Sequence, residues 1–318
     1  MEEIIYPENI KNNLLLLIQD NLEKIESAFR IDVALRGNKL MFDGESGNTK
    51  KFKKYMKHIF QASKENGELN ENDLIMSLSM INEGKIDSIK EELNQKVKIS
   101  LPGNNGKVVY PKTFNQKAYI KAVYKNDLVF GIGPAGTGKT FLAISMALSL
   151  LFSKEVERIV LTRPVVEAGE KLGFLPGDIQ QKVNPYFRPL YDALYHLIGF
   201  ERTGDLIEKE IIEIAPLAYM RGRTIDDAFI ILDEGQNTLN SQMKMFLTRF
   251  GHNSKVVITA DISQIDLPDP RKSGIFKAIN ILENIKGIKI VNLNKKDVVR
   301  HPLVEKIIDA YERKGDAF

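Results

Sequence analysis

The sequence predicts an α/β fold: a mostly parallel sheet with flanking helices, preceded by a smaller α+β domain. Five short, nearly all-apolar runs are separated by helix-length segments, which is the pattern of strands buried on both faces of a parallel sheet. A glycine-rich loop directly follows the first run, and an apolar helix directly follows the loop. The five runs are residues 128–132, 158–162, 228–232, 255–259 and 288–293.

The N-terminal part of the chain predicts the smaller domain. Apolar residues at steps of three and four predict one amphipathic helix over residues 10–29. Two β-prone runs, 31–35 and 39–42, flank a Gly-Asn dipeptide that suits a two-residue hairpin turn. Two further helices follow, the second near residues 71–82, which gives the order α-β-β-α-α.

The boundary between the domains is predicted from a change in composition. Residues 84–94 are polar, and we expect them to be mobile. A second hairpin is predicted around the sequence Asn104-Asn105-Gly106. The predicted organisation is therefore a domain of residues 1–82, a linker with a hairpin over residues 83–112, and a second domain of residues 113–318.

Composition excludes several classes of site. The chain has 318 residues, no cysteine and four scattered histidines, so disulfides, thiol nucleophiles and thiolate metal sites are excluded. A net charge of +3 does not by itself indicate a nucleic-acid partner. The longest apolar stretch, residues 141–152, is too short to cross a membrane, and the acidic start lacks the basic region of a secretory signal. We therefore expect a cytoplasmic location and no membrane partner.

The loop behind the first strand has the spacing of a phosphate-binding loop. Its glycines allow backbone N–H groups to surround phosphates, and the following helix adds the positive end of its dipole. Lys139 is predicted to reach the β- and γ-phosphates, and the Thr140 hydroxyl to bind Mg²⁺. The loop thus predicts a bound nucleotide with Mg²⁺. The loop consists of Gly133, Pro134, Ala135, Gly136, Thr137, Gly138, Lys139 and Thr140.

Polar residues at the ends of later strands complete the predicted site. Asp233 and Glu234 follow an apolar strand; Asp233 is expected to hold Mg²⁺, and Glu234 to polarise water as general base. Asp261 and Gln264 follow the next strand, and Gln264 is placed to sense the γ-phosphate. Gln116, upstream of the loop, is a candidate to read the adenine edge through its amide. It could equally be a solvated helix residue.

At this point the residues resemble those of the PhoH family of P-loop ATPases, relatives of superfamily 1 helicase motor domains. The resemblance extends over residues 113–313, with two small departures: Gly235 where the family usually has Ala, and Ala260 where it usually has Gly. We expect both to have little effect. The matching segments are residues 133–140, 162–178, 184–186, 188–192, 220–224, 233–237, 242–251, 261–268 and 298–302.

The resemblance implies ATP hydrolysis in a RecA-like domain, assembly as a homohexameric ring, and a link to RNA with helicase-like activity in some members. The first domain resembles the KH-like module found ahead of many such proteins. A single RecA-like core would borrow an arginine from a neighbouring subunit to complete its site. Arg300 is the first candidate and Arg249 the second, whereas Arg163 is expected to face nucleic acid or the phosphate edge.

Three observations favour a nucleic-acid partner, and the resemblance to the family and to the KH-like module implies that this polymer is single-stranded RNA. Lysines occupy the opening turns of a predicted helix, where positive charge opposes the helix dipole unless an anion compensates. Residues 44–47 spell the GxxG of a KH backbone clamp. Arg221 and Arg223 lie in a glycine-containing loop near Tyr219. The lysines are Lys50, Lys53 and Lys54.

Three functions fit the sequence. The leading one is an ATP-driven RNA-binding motor or remodeller. The second is an ATP-controlled binding module that assembles with a partner and unwinds nothing. The third is a P-loop kinase of a small metabolite; Glu234, which suits water activation, and the lack of a recognisable arginine-rich lid argue against it.

Overall fold

In the computed structural model, the chain forms two compact units. The structure describes residues 1–6, 12–66, 69–95, 97–103, 106–165, 179–299, 303, 304 and 307. The first unit is Met1–Lys98 with Tyr110–Lys117, and the second is Ile99–Val109 with Ala118–Phe318.

The first unit is an α+β unit with a three-stranded antiparallel sheet. The strand order is β1-β3-β2, and helices cover an apolar core that includes Ile25, Phe42, Phe52 and Tyr55. Its elements are β1 (Glu2–Ile5), α1 (Asn12–Asp20), α2 (Leu22–Phe29), β2 (Ile31–Arg36), β3 (Lys39–Gly44), α3 (Ser46–Asn66), α4 (Glu71–Asn82) and α5 (Ile89–Asn94).

Three features of this unit differ from the prediction. The helix predicted over residues 10–29 is divided into α1 and α2 at Asn21, whose side chain donates to the Leu17 carbonyl at 2.9 Å. Strand β1 was not predicted, because it is only four residues long. The segment expected to be a polar linker contains α5, since Ile89 and Leu93 are buried in the core of the unit.

The second unit contains a six-stranded, all-parallel sheet, where the prediction was a mostly parallel sheet with five strands, and a short antiparallel hairpin of β4 and β5. Its elements are β4 (Ile99–Ser100), β5 (Val108–Val109), α6 (Phe114–Lys125, which begins in the first unit), β6 (Leu128–Ile132), α7 (Lys139–Phe152), β7 (Arg158–Arg163), α8 (Ile179–Ile198), α9 (Phe200–Glu208), β8 (Ile212–Pro216), β9 (Ala228–Leu232), α10 (Asn240–Leu247), β10 (Lys255–Ala260), α11 (Gly274–Leu282) and β11 (Ile288–Asn292).

The strand order places three loops side by side. The order is β11-β6-β10-β9-β7-β8, so β6, β10 and β9 are adjacent. Their carboxyl ends lie at one edge of the sheet, where ligands of open α/β sheets bind. All five predicted strands are present; β8, at the opposite edge from β11, was not predicted, because its sequence Ile-Glu-Ile-Ala-Pro mixes apolar and charged residues.

Burial follows position in the sheet. Every residue of β6 and β9 is buried, whereas edge strand β11 has one buried residue, Val291, among half-buried and exposed ones. The continuous apolar runs therefore correspond to strands covered on both faces. Among the described residues, no helix combines the length and apolar character needed to cross a membrane.

Candidate nucleotide-binding site

The glycine-rich loop lies between β6 and the first residue of α7, Lys139. Gly136 and Gly138 have φ angles of 84° and 78°, which side chains with a Cβ atom rarely adopt. Gly133 is required for a different reason: a Cβ atom there would lie 2.5 Å from the Leu293 carbonyl oxygen. The backbone thus has the tight turn of a phosphate-binding loop at a helix N-terminus.

Lys139 is buried inside this loop. Its ammonium donates to the carbonyl oxygens of Gly133 at 2.6 Å and Pro134 at 2.8 Å. Burial lowers the pKa of Lys139, and the charges of Asp261, Glu234 and Asp233 oppose that shift. A buried ammonium that depends on nearby negative charge is suited to receive phosphate oxygens.

Asp233 joins two strands and the loop. Its Oδ1 accepts hydrogen bonds from the hydroxyls of Thr140 and Thr259, both at 2.6 Å. The Thr140 hydroxyl and the Asp233 carboxylate are therefore adjacent, as the prediction of a Mg²⁺ site requires. In nucleotide sites, phosphate and water supply most of the oxygen ligands of Mg²⁺. The protein then needs to supply only a few groups, and one hydroxyl with one nearby carboxylate fits this requirement.

Glu234 follows in a strained backbone conformation, with φ at 55°. Non-glycine residues in this region cost about 1–3 kcal/mol and are concentrated at functional sites. Burial and the neighbouring charge of Asp233 raise the pKa of Glu234; the hydrogen bond from Gln236 and the charges of Arg163 and Lys139 oppose this. The carboxyl group is therefore more basic than an ordinary glutamate, which suits a general base.

Gln236 connects the two acidic segments, and no role was predicted for it. It is fully buried, and its Nε2 donates to Glu234 Oε2 at 2.5 Å and to the Gln264 carbonyl at 3.0 Å. Its Oε1 accepts from the Asp261 backbone N–H at 2.9 Å. Residues 233–237 are among the segments that resemble the PhoH family. That match was the only indication in the sequence that Gln236 belongs to the site.

Lys139, Thr140, Asp233 and Glu234 line one cavity with a volume of about 250 Å³. The structure brings together most of the predicted site, including Gln264 in the segment that follows β10. Asp261 also lines the cavity, and its buried Oδ2 has no hydrogen-bond partner among the described residues. Predicted site residues on the cavity wall are Ala135, Gly136, Gly138, Lys139, Thr140, Asp233, Glu234 and Gln264.

Gln116 belongs to the first compact unit, whereas the cavity belongs to the second. The Gln116 side chain is buried, and its Oε1 accepts from the Lys112 backbone N–H at 2.7 Å. This bond closes the turn that leads into α6. The role of Gln116 in reading adenine stays a prediction.

The predicted arginines have different positions. Arg300 lies outside the described residues. Arg249 donates to the carbonyl oxygens of Met245 and Arg223, at 3.0 and 3.1 Å, so its guanidinium holds local backbone together. Arg163 is the last residue of β7, and its guanidinium lies 3.3 Å from Glu234 Oε1. It therefore contacts the predicted general base.

The basic residues proposed for RNA are partly used inside the chain. Lys53 forms an ion pair with Glu2, and Lys54 forms one with Asp87. Arg223 forms a bidentate ion pair with Glu213, at 2.5 and 2.7 Å. The lysines at the start of α3 were expected to need an anion as partner. For Lys53 and Lys54, carboxylates of the same unit supply it.

The geometry has the parts of an ATPase site: a phosphate-binding loop, a buried lysine, a hydroxyl beside a carboxylate, and a second carboxylate of raised basicity. When bound, ATP with Mg²⁺ would supply the anhydride bond that is cleaved. Thr140 and Asp233 would hold the metal ion, Lys139 would neutralise phosphate charge, and Glu234 would orient water.

Comparisons with known proteins agree with this description. A family model described as PhoH-like protein matches residues 108–312. A PhoH-like protein of Bacillus subtilis is 46% identical over 298 residues, covering 93% of this chain and 92% of its own length. A PhoH-like protein of Mycobacterium tuberculosis is 45% identical over 307 residues, covering 96% and 86%.

Two other matches are lower in similarity or shorter in overlap. Protein PhoH of Escherichia coli is 46% identical over 198 residues, covering 62% of this chain and 56% of its own. The solved SWI2/SNF2 ATPase core of Sulfolobus solfataricus, in complex with dsDNA, is 11% identical and covers 64% and 53%. Its TM-score of 0.35 is too low to carry an argument. From the family model and the full-length relatives, the chain belongs to the PhoH family, whose members include proteins described as PhoH-like.

Proposed function

We propose that this protein hydrolyses ATP and uses the cycle to remodel single-stranded RNA, as a homohexameric ring. The observation that carries hydrolysis is the shared cavity of Lys139, Asp233, Glu234 and Gln264. A kinase needs the same loop; Glu234, which suits water activation, and the lack of a recognisable arginine-rich lid in the sequence argue against it. The RNA and ring parts are supported by the family resemblance and by the small α+β unit with its GxxG sequence.

A second candidate is an ATP-controlled binding module without unwinding activity. The ion pairs of Lys53 with Glu2 and of Lys54 with Asp87 favour it, because they leave less free positive charge on α3 for a phosphate backbone. Exposed ion pairs contribute little stability, so a strand could still displace them. RNA dependence of the ATPase activity separates the two candidates.

The test is phosphate release from ATP with Mg²⁺, with and without single-stranded RNA and with no added phosphate acceptor. Lys139→Ala should lose nucleotide binding and activity, and Glu234→Gln should lose activity while it still binds nucleotide. Lys209→Ala and Glu208→Gln, both exposed at the end of α9, are matched controls that should keep wild-type rates.

Each outcome selects one candidate. Activity that both site variants abolish and that RNA raises supports the motor. Activity that RNA does not change supports the regulated module. Product that appears only with an added acceptor contradicts hydrolysis and supports the kinase. The cytoplasmic location predicted from the sequence stays a prediction.

The ring proposal makes a separate prediction about Arg300. If a neighbouring subunit completes the site with this residue, Arg300→Ala should lower kcat by about 10³-fold or more, because arginines that act in trans contribute about 10³ to 10⁵ in rate. Oligomeric state is measured by light scattering on the same sample. Full activity of an intact Arg300→Ala oligomer contradicts the proposal.

A further inference from the structure

Arg163 is a charged residue at the site that the proposed mechanism leaves without a role. Its side chain is 20% exposed. One guanidinium nitrogen donates to the Tyr186 carbonyl at 2.8 Å, and the other lies 3.3 Å from Glu234 Oε1. Asp233 Oδ2 is 4.0 Å away. The guanidinium thus lies against both carboxylates that the site requires.

The contact matters because it engages the general base. Glu234 Oε1 faces Arg163, and Glu234 Oε2 accepts the short hydrogen bond from Gln236. Both carboxylate oxygens are therefore held by protein groups. A general base must be within hydrogen-bond reach of the water that it activates, so the Arg163 guanidinium competes with that water for Glu234 Oε1.

A terminal phosphate is a better partner for this guanidinium than the carboxylate. It carries more negative charge, and its oxygens match the planar fork of arginine. Glu234 lines the cavity together with Lys139 and Thr140, and Arg163 contacts Glu234 at 3.3 Å. One side chain, that of Glu234, therefore links the Arg163 guanidinium to the cavity in which the loop would hold a phosphate. The Tyr186 carbonyl gives the guanidinium a second, uncharged anchor during such an exchange.

We propose that Arg163 is a positioning residue that holds Glu234 and turns to the terminal phosphate when ATP binds. Its departure frees one Glu234 oxygen to orient water. The terminal phosphate thus completes the arrangement of the general base. This inference rests on the proposed ATPase function, and it adds a same-chain arginine to that site.

The test compares two nucleotides by calorimetric titration of the full-length protein. MgADP lacks the terminal phosphate, and the magnesium complex of a non-hydrolysable ATP analogue with an imido bridge retains it. Arg163→Ala should weaken the analogue by at least about tenfold, the value of one charge-assisted hydrogen bond, and leave MgADP within about twofold. Arg163→Lys keeps the charge and should recover part of the ratio.

Two controls separate this role from a structural one. Arg158→Ala removes an arginine from the other end of β7, where it contacts the Asp226 carbonyl at 3.5 Å, and should leave both affinities unchanged. Arg163→Gln retains most of the side-chain volume if Arg163→Ala fails to fold. A merely structural role would weaken both nucleotides equally.

The outcomes are decisive for Arg163 and for the ATPase function separately. An analogue-to-ADP affinity ratio that falls in Arg163→Ala and Arg163→Gln supports the inference, whether or not the wild type releases phosphate. An unchanged ratio overturns it, even if wild-type hydrolysis is robust. If the wild type releases no phosphate, that result contradicts the ATPase function and leaves the inference about Arg163 to the affinity ratio.

Discussion

At the scale of single residues, Gln236 shows how the site depends on a buried amide. Its two polar atoms satisfy Glu234, the Gln264 carbonyl and the Asp261 N–H, which belong to the segments after β9 and β10. Buried polar groups that lose a partner cost about 1–3 kcal/mol each. The amide therefore both stabilises this edge of the sheet and fixes the position of the general base.

Replacing Gln236 by leucine tests this connection. Gln236→Leu keeps the volume but removes the partner of three polar groups. Glu234 keeps its contact with Arg163 and Gln264 is exposed, so only the buried Asp261 N–H bears the full cost. We therefore expect the unfolding free energy to fall by about 1–3 kcal/mol. The kcat for phosphate release should fall by about 10²-fold, the effect of a small misplacement of a reacting group. Urea titration and steady-state kinetics measure the two effects. Gln19→Leu, at an exposed site on α1, is the control and should change neither.

Gly235 is a second residue whose environment makes a prediction. An added Cβ atom would lie 2.7 Å from Ile258 Cγ2 and 3.3 Å from the Thr259 carbonyl oxygen. The expectation from the sequence was that this departure from the family pattern has little effect. The contact with β10 leads to a different expectation, because a methyl group must displace a buried isoleucine.

We expect Gly235→Ala to lower the unfolding free energy by about 1–3 kcal/mol, the usual cost of overpacking a core. Gly204→Ala is the matched control: an added Cβ atom there meets no atom within 4 Å, and alanine favours the helix by about 0.5–1 kcal/mol. The measurement is a urea titration of both variants. Equal stability of Gly235→Ala and the wild type would show that Ile258 moves at no cost.

At the scale of elements, hydrophobic periodicity predicted the strands that are buried on both faces. It missed the helix end that a single side-chain contact determines. The continuous runs of β6 and β9 were readable because both faces of each strand are covered. The break at Asn21 was not, because apolar residues continue at helical spacing through α1 and α2. Helix α1 ends where the Asn21 side chain donates a hydrogen bond to the Leu17 carbonyl. The spacing of apolar residues does not indicate such a bond.

The short elements α5 and β8 were missed for a related reason. Helix α5 has two buried residues, Ile89 and Leu93, among charged ones, so its composition is typical of a polar linker. Strand β8 lies at the edge of the sheet, where one side is open and Glu213 can pair with Arg223. Elements that depend on a few tertiary contacts carry a weak local signal.

At the scale of the whole molecule, the candidate site could be predicted because the carboxyl ends of parallel strands lie at one edge of the sheet. The loop after β6 and the acids after β9 and β10 therefore share that edge, and the strand order, which was not predicted, makes them neighbours. Arg163 and Gln236 could not be assigned in the same way. Their roles depend on contacts at 3.3 Å and 2.5 Å to one carboxylate, and spacing in the sequence does not determine such contacts.

The stability of the molecule should also depend on pH through His58 in the first unit. Neither ring nitrogen of His58 has a hydrogen-bond partner among the described residues, and both are buried. Burial lowers the pKa of His58; Lys54, Lys57 and Lys90 act in the same direction, and Asp87 opposes them. The folded protein therefore keeps this imidazole neutral at a pH where the unfolded chain takes up a proton.

The sign of the effect follows from this difference in proton uptake. The contribution of His58 is fully present above the ordinary histidine pKa and is lost as pH falls below it, because protons then favour the unfolded chain. Between about pH 8 and about pH 5 we expect hydrogen exchange in α3 to accelerate relative to α7, after correction for the intrinsic pH dependence of exchange. His58→Leu should remove most of that difference. If α3 and α7 respond equally to pH in the wild type, or if His58→Leu leaves the difference intact, another group is responsible.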